Sequence, residues 1–371
     1  MTTTERAISV AQLRDILERG EPVTVLDIRK AADRAEWAIP GSRHLDIYDA
    51  LKAGATSELD SATLPQDRPI VTVCGMGQTA ALATVQLRAR GYDARTLTGG
   101  MSAWSLAWNT AAVPLPGSAA RVLQVRRTGK GCLSYLLGAG GQAAVIDAAL
   151  DPDVYVTLAH QAGWAITTVL DTHIHADHLS RSRRLAQLAG ATLYLPAQER
   201  ATFPFTALRD GETIVVGNAR LVAWHTPGHT PEAITYVLDG RAAFTGDTLF
   251  LAGVGRPDLE AGADGGRARA TALHTSLQRL LTLPPETLIL PGHSSAPIAF
   301  NGEPVAATLA AVRERTSALA LDRETFVETI LGRIPPTPPN HARIIALNEA
   351  GELFAGDPAE LEAGANRCAV A

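Results

Sequence analysis

Residues 171–178 read DTHIHADH, three histidines and two aspartates in eight positions. No other stretch limits so tightly what this chain can fold into. Each of these side chains offers a lone pair and is costly to bury unpaired, so at this density they point to convergence on a metal ion. The preceding ITTVL has the apolar run of a buried strand, which places the cluster at a strand end. His173 and His175 alternate there and can face one point or straddle it. Asp177 and His178 are expected on the first turn of a helix running through ADHLSRSRRLAQLAG. Such a stretch can hold zinc for hydrolysis or iron for oxygen chemistry, and the rest of the chain has to decide.

Later strand ends add His229 in HTPGHT, Asp247 in FTGDTLF and His293 in LPGH. A lone histidine is more often structural than a ligand. Five of the chain's ten histidines in strand-end motifs, with two aspartates, fit a metal site better. His225 is expected beside the ligands rather than among them.

Residues 1–110 alternate buried strands (PVTVLDIR, PIVTVC) with helical patterns (ISVAQLRDILERG, TAALATVQLRARGY), which predicts an α/β domain with a parallel sheet. NTAAVPLPGSAA lacks periodicity, and a linker is expected over 111–120. A second α/β unit is expected over 121–350. Its SYLLGAGGQAAVIDAAL reads as a hairpin, and its end as helical with a proline-rich break before His341. Residues 351–371 read as a weakly structured tail. A net charge of −5 gives no reason to expect nucleic acid or an anionic membrane as partner. The start of the sequence has no signal-peptide pattern, and no apolar run is long enough to span a bilayer, so a cytoplasmic location is expected.

Cys74, Cys132 and Cys368 lie too far apart in sequence for a disulfide framework. Cys132, in GCLSYLLG, reads as core packing, and Cys368 falls in the tail. Cys74 closes a buried strand just before a helix. Glycines at 75 and 77 let Gly75, Met76, Gly77, Gln78 and Thr79 curl, so that several N–H groups can face the sulfur. That cradle and the helix N-terminus favour an anion such as a persulfide, Cys–S–S⁻. The alternative is a buried structural cysteine.

VLDIR, WAIPGSRHL, the Cys74 loop and LTGGMSAW, in this order over residues 5–108, resemble a rhodanese domain. The resemblance implies a sulfurtransferase carrying sulfane sulfur on Cys74. Many rhodanese loops place an arginine at the sixth position. Here it is Thr79, which puts thiosulfate as donor in doubt and favours a less anionic persulfide.

His-x-His-x-Asp-His followed by Gly-His, Gly-Asp and Gly-His resembles the metallo-β-lactamase fold over residues 120 to about 300. That resemblance implies an αββα sandwich with the metal between two sheets and a helical C-terminal extension. The fold includes zinc hydrolases such as glyoxalase II and persulfide dioxygenases that use one iron. All seven positions of a two-metal site are present: His173, His175, Asp177, His178, His229, Asp247 and His293. The dioxygenase resemblance implies one Fe(II) on His173, His229 and Asp247, with His175, Asp177, His178 and His293 tuning the site. The alternative is one or two zinc ions. GVGRPDL, residues 253–259, resembles the dioxygenases more than glyoxalase II. Arg256 is then a candidate for a substrate carboxylate, or else a structural partner of Asp258.

Together the resemblances imply an iron-dependent persulfide dioxygenase fused to a sulfur carrier. Its partners would be a low-molecular-weight thiol persulfide (glutathione persulfide above all), O2 and a sulfane sulfur donor. The alternatives are a zinc hydrolase of hydroxyacylglutathione or another ester, and a non-catalytic sulfur-sensing module. The carrier thiol, the direction of transfer at Cys74 and homo-oligomer formation stay open.

Overall fold

A computed structural model describes residues 7–364 and 366–371. The first six residues of the expected N-terminal domain lie outside the described residues. That domain is built on a parallel sheet in the order Ala7–Ile8, Ala94–Leu97, Ile70–Val73, Thr24–Asp27, Arg43–His44. Its central strands are buried along their whole length, as a parallel sheet covered on both faces requires. The helix Gln78–Ala89 starts four residues after Cys74, and Gly77 caps it in the left-handed conformation with φ +89°.

The rest of the chain forms two facing sheets. One has seven strands, ordered Thr206–Leu208, Thr192–Pro196, Ala165–Leu170, Gln142–Ile146, Leu133–Ala139, Arg121–Arg126, Asn109–Val113. The other has six: Thr213–Val216, Ala219–His225, Ile234–Leu238, Ala242–Gly246, Leu288–Pro291, Ala307–Thr308. Between them lies a core that includes Tyr135, Leu137, Ile146, Tyr236, Phe244 and Leu290. Helices Pro152–Ala162 and Ser182–Ala189 cover the outer face of the first sheet, and helix Gly262–Leu280 that of the second. This is the expected αββα layering, with the expected hairpin turned by Gly140 and Gly141, both at positive φ. Helices Leu309–Arg315, Arg323–Leu331 and His341–Ala350 supply the C-terminal extension. Among the described residues no helix is long and apolar enough to cross a membrane.

Three local expectations change. Asn109–Val113, partly inside the expected linker, is an edge strand antiparallel to Arg121–Arg126. Its alternating burial rests on small side chains, so its hydropathy contrast is weak. The tail is tied down: Ala359–Glu362 is helical, and Ala369–Val370 pairs with Val254–Gly255. Asp177 and His178 are not helical, because helix Ser182–Ala189 starts four residues after His178. Side chains from afar satisfy the loop backbone instead. Glu232 accepts from Ile174 N, Glu362 from Leu179 N and Asn348 from Ser180 N, while Asn348 also donates to the carbonyls of His175 and His178.

Candidate metal centre

The strand Ala165–Leu170 delivers the first motif, and the second sheet delivers the others from the end of Ala242–Gly246 and the loops after Ala219–His225 and Leu288–Pro291. The motif glycines allow this convergence. A Cβ on Gly255 would lie 2.0 Å from the Asp247 carbonyl oxygen, and one on Gly292 2.5 Å from Asp247 Oδ1. Backbone must approach the ligands here more closely than any side chain permits.

His173, His229 and Asp247 form one buried set whose ligand atoms lie within 4.8 Å of one another. Asp247 Oδ2 stands 3.9 Å from His173 Nε2 and 3.7 Å from His229 Nε2. The far side of each ligand is tied. His229 Nδ1–H donates to the Arg256 carbonyl at 2.9 Å. The Thr172 hydroxyl gives its proton to Asp147 Oδ2 and so accepts from His173 Nδ1–H at 2.9 Å. His293 Nδ1 donates to Asp247 Oδ1 at 2.6 Å. These bonds fix the tautomers so that Nε2 lone pairs and one carboxylate oxygen face a common point. His173 Nε2 and Asp247 Oδ2 are buried and have no hydrogen-bond partner, which a divalent cation would remedy. Burial, reinforced by His175, holds the His173 imidazole well below its usual range and therefore neutral, as a ligand must be. Burial opposes ionisation of Asp247, but His293 outweighs it, and the carboxyl stays below its usual range.

The other sequence candidates divide between two further clusters. Asp177, His178 and His293 come together with Cys132, all buried. His175 falls outside both sets and joins Asp147 and Asp171, its Nε2 3.3 Å from Asp147 Oδ1. Asp147 holds φ +55°, which turns its carboxylate back onto Thr172 N and Oγ1. His225 lies apart, its Nε2 on the Pro231 carbonyl.

Arg256 is not placed to meet a substrate. Its side chain is fully buried, paired through Nε and Nη2 with both oxygens of Asp258 at 2.8 and 2.7 Å, and Nη1 donates to the carbonyls of Pro336 and Arg367. Its contribution is the carbonyl that orients His229. Cys132 and Cys368 are not mere packing or tail: both are buried against the metal-site carboxylates and His293. Glu362 is equally unforeseen. Although buried, it is held down to about 2, because Arg127 and Arg181 outweigh the cost of desolvation. Nothing local in LEAGANRC signals these roles, since each partner is distant in sequence. A cavity of about 950 Å³ reaches His173 and His175, lined also by Trp108, Arg183, Phe203 and Asn348.

Cys74 is buried, and its Sγ accepts one backbone N–H, from Ala80 at 3.3 Å. The expected cradle is therefore thinner than the glycines suggest. The loop is pinned through its carbonyls, as Met101 N and Ser102 N donate to the Cys74 and Gly75 oxygens. Gly100 sits so close that a Cβ would meet the Cys74 oxygen at 2.3 Å. Thr79 is buried, Gly75 and Gln78 are exposed, and Met76 is 72% exposed. The N-terminal domain also meets the second unit: Arg127 Nε donates to the carbonyl of Ser105, the C-cap of helix Gly100–Trp104, and Glu36, at the end of helix Ala31–Glu36, pairs with Arg367.

Comparison with known proteins adds the family. Residues 9–107 match the Rhodanese-like domain and residues 127–293 the Metallo-beta-lactamase superfamily. A hydroxyacylglutathione hydrolase of Methylobacterium sp. (strain 4-46) is 32% identical over 54% of this chain and 78% of its own length. The chain belongs to the metallo-β-lactamase superfamily, with a rhodanese-like domain before it. A hydroxyacylglutathione hydrolase of Acidiphilium cryptum is 38% identical over 48% of this chain and 72% of its own. Among solved structures, a metallo-β-lactamase from Staphylococcus aureus superposes with TM-score 0.59 at 27% identity, covering 64% of this chain and 75% of that one. ETHE1 from Myxococcus xanthus superposes with TM-score 0.54 at 31% identity, covering 62% of this chain and 97% of that one. Superfamily membership makes the second unit a metal-binding enzyme domain of hydrolase or dioxygenase type.

Proposed function

We propose that the chain is an iron-dependent persulfide dioxygenase coupled to sulfur transfer at Cys74. The observation that carries this reading is the donor set. His173, His229 and Asp247 present two imidazoles and one carboxylate as one set, which His175 does not join: its Nε2 is on Asp147, while its buried Nδ1 has no partner and is the atom a hydrolytic metal would recruit. A facial set of this composition suits Fe(II) and leaves positions open. When bound, the iron supplies the redox chemistry that activates dioxygen. The residues themselves orient the imidazoles through Thr172 and the Arg256 carbonyl and keep the donors out of bulk water. The cavity beside His173 is roomy enough for a tripeptide-sized thiol.

In the overall reaction a persulfide RSSH, dioxygen and one water give the thiol RSH, sulfite and two protons. The sulfane sulfur is oxidised and dioxygen is reduced. At Cys74, the thiol RSH attacks the outer sulfur of Cys74–S–S⁻, giving RSSH and the Cys74 thiolate. Glutathione persulfide is the expected substrate. The likeness to ETHE1 supports the dioxygenase reading. The names of the curated relatives favour a second one, zinc-dependent hydrolysis of hydroxyacylglutathione.

Oxygen uptake by anaerobically purified, Fe(II)-loaded protein on addition of glutathione persulfide, with sulfite measured in the same samples, separates the two. Stoichiometric sulfite, lost in His173→Ala, supports the dioxygenase. Persulfide left intact, with retained zinc and hydrolysis of lactoylglutathione, overturns it.

A further inference from the structure

We propose that Asn366 is a positioning residue of the metal centre: from its one amide side chain, polar contacts run to both Asp247 and His229. Its Nδ2 donates to Asp177 Oδ2 at 3.1 Å, and its Oδ1 accepts from Cys368 N at 2.9 Å. The first arm continues through the same Asp177 oxygen, which stands 2.8 Å from His293 Nε2, and His293 Nδ1–H donates to Asp247 Oδ1. The second arm continues through the Cys368 backbone. The Cys368 carbonyl accepts from Arg256 N at 2.9 Å, and the Arg256 carbonyl accepts from His229 Nδ1–H. Two of the three donors in the set His173, His229 and Asp247 are thus reached from a single residue far along the chain.

The segment that carries Asn366 is anchored on both sides of it. Val370 is buried in the core that packs under helix Gly262–Leu280, and Ala369–Val370 pairs with Val254–Gly255. The pairing is tight: a Cβ on Gly253 would lie 2.6 Å from the Val370 carbonyl oxygen. Cys368 faces the same way as Asn366, its Sγ within 4.8 Å of ligand atoms of Asp247 and His293. Arg367, between them, turns to Glu36 of the N-terminal domain, and its carbonyl accepts from Arg256 Nη1. The side chains alternate as in a strand, two towards the metal centre and one away.

An aliphatic side chain in place of Asn366 removes a donor to Asp177 and leaves the N–H of buried Cys368 without its acceptor. Both arms then slacken at once, and Asp247 and His229 lose support from behind. Losing such a supporting partner typically lowers metal affinity about 10–100-fold. The role of Asn366 is the same whether the centre takes one ion or two, and whichever reaction it performs.

The test uses the full-length protein with cobalt(II) as the probe, read by the d–d absorption bands that report its coordination geometry. Asn366→Leu is expected to lower cobalt affinity about 10–100-fold and to shift those bands. Arg333→Met, which removes a donor to the Ala371 carbonyl at the far end of the same segment, is expected to change neither. A folded Asn366→Leu protein with wild-type affinity and bands overturns the proposal. So does an equal loss in Arg333→Met, which would make the effect one of segment stability alone. The wild-type protein supplies a reading that does not depend on whether Asn366→Leu folds. Because coupling is reciprocal, cobalt binding is expected to slow amide exchange at Cys368 N–H and Arg256 N–H by about tenfold or more. Exchange there that is indifferent to the metal overturns the proposal.

Discussion

The metal centre and the Cys74 loop solve opposite problems with opposite amounts of structure. Each ligand of the first set is held from behind by a named partner, and those partners are themselves bonded, as Thr172 is to Asp147. Cys74 Sγ receives one N–H, and the exposed Met76 flanks it. A metal site must hold several donors to a fixed geometry before the ion arrives, so its supporting shell is dense. On the proposed reading, Cys74 must meet a donor and an acceptor of different shapes, which a pinned backbone under an open rim serves better.

The comparison breaks first at Asp247. Asp247→Ala should abolish iron retention and lower oxygen uptake by on the order of 10³-fold or more. Retained activity in an iron-free variant would remove the centre from the mechanism. Next comes Arg256→Ala, which strips the partner from Asp258 and loosens the segment around His229. A loss of about 3 kcal/mol in unfolding free energy is expected, with KM little changed among molecules that fold. A higher KM at unchanged stability would restore Arg256 as a substrate contact. Thr172→Val keeps the shape and removes the acceptor for His173 Nδ1–H; iron affinity should fall about 10–100-fold by titration.

Glu362 sharpens the contrast through pH. Its folded-state carboxyl is depressed to about 2 by Arg127 and Arg181 against the cost of burial. The stability it contributes is present above the ordinary carboxylate range and is lost as pH falls from about 4.5 towards 2. Glu362→Gln should flatten the denaturation profile in that window, and an unchanged profile would show that the ion pairs contribute nothing. The smallest effect is expected at the other region. Cys74→Ser should abolish sulfur transfer yet change oxygen uptake on pre-formed glutathione persulfide by less than about twofold. A larger fall would mean that the two regions act as one.

Legibility followed the range of the interactions. The strand-end motifs announce themselves because one segment packs three histidines and two aspartates into eight positions and three others end in Gly-His or Gly-Asp, with Gly292 lying where backbone crowds the Asp247 carboxylate. The hairpin, the strands and the helix within SRSRRLAQLAG follow from periodicity, whereas the two-sheet layering was implied only by the family resemblance, and the helices Pro152–Ala162 and Gly262–Leu280 emerge only in the structure. Local pattern fails where distant side chains do the backbone's bonding. ADHLS has the pattern of a helix start, but Asn348 and Glu362 take over its hydrogen bonds. Cys132 was legible as buried but not as a neighbour of His178 and His293. Arg256 was legible as charged and motif-borne, and only its burial showed that the carbonyl, not the guanidinium, serves the centre.

The edge strand Asn109–Val113 lies between the two matched family regions, which end at 107 and resume at 127, and it completes the seven-stranded sheet. The two units are therefore not beads that recombination can trade at the obvious seam. A graft cut at residue 110 would split that strand, leaving Asn109 and Thr110 with the first unit and baring the backbone of their partners Arg126 and Val125 in the second, an invitation to edge-to-edge aggregation. Any exchange that preserves solubility has to inherit this segment together with the catalytic sandwich, so the heritable boundary lies upstream of residue 109.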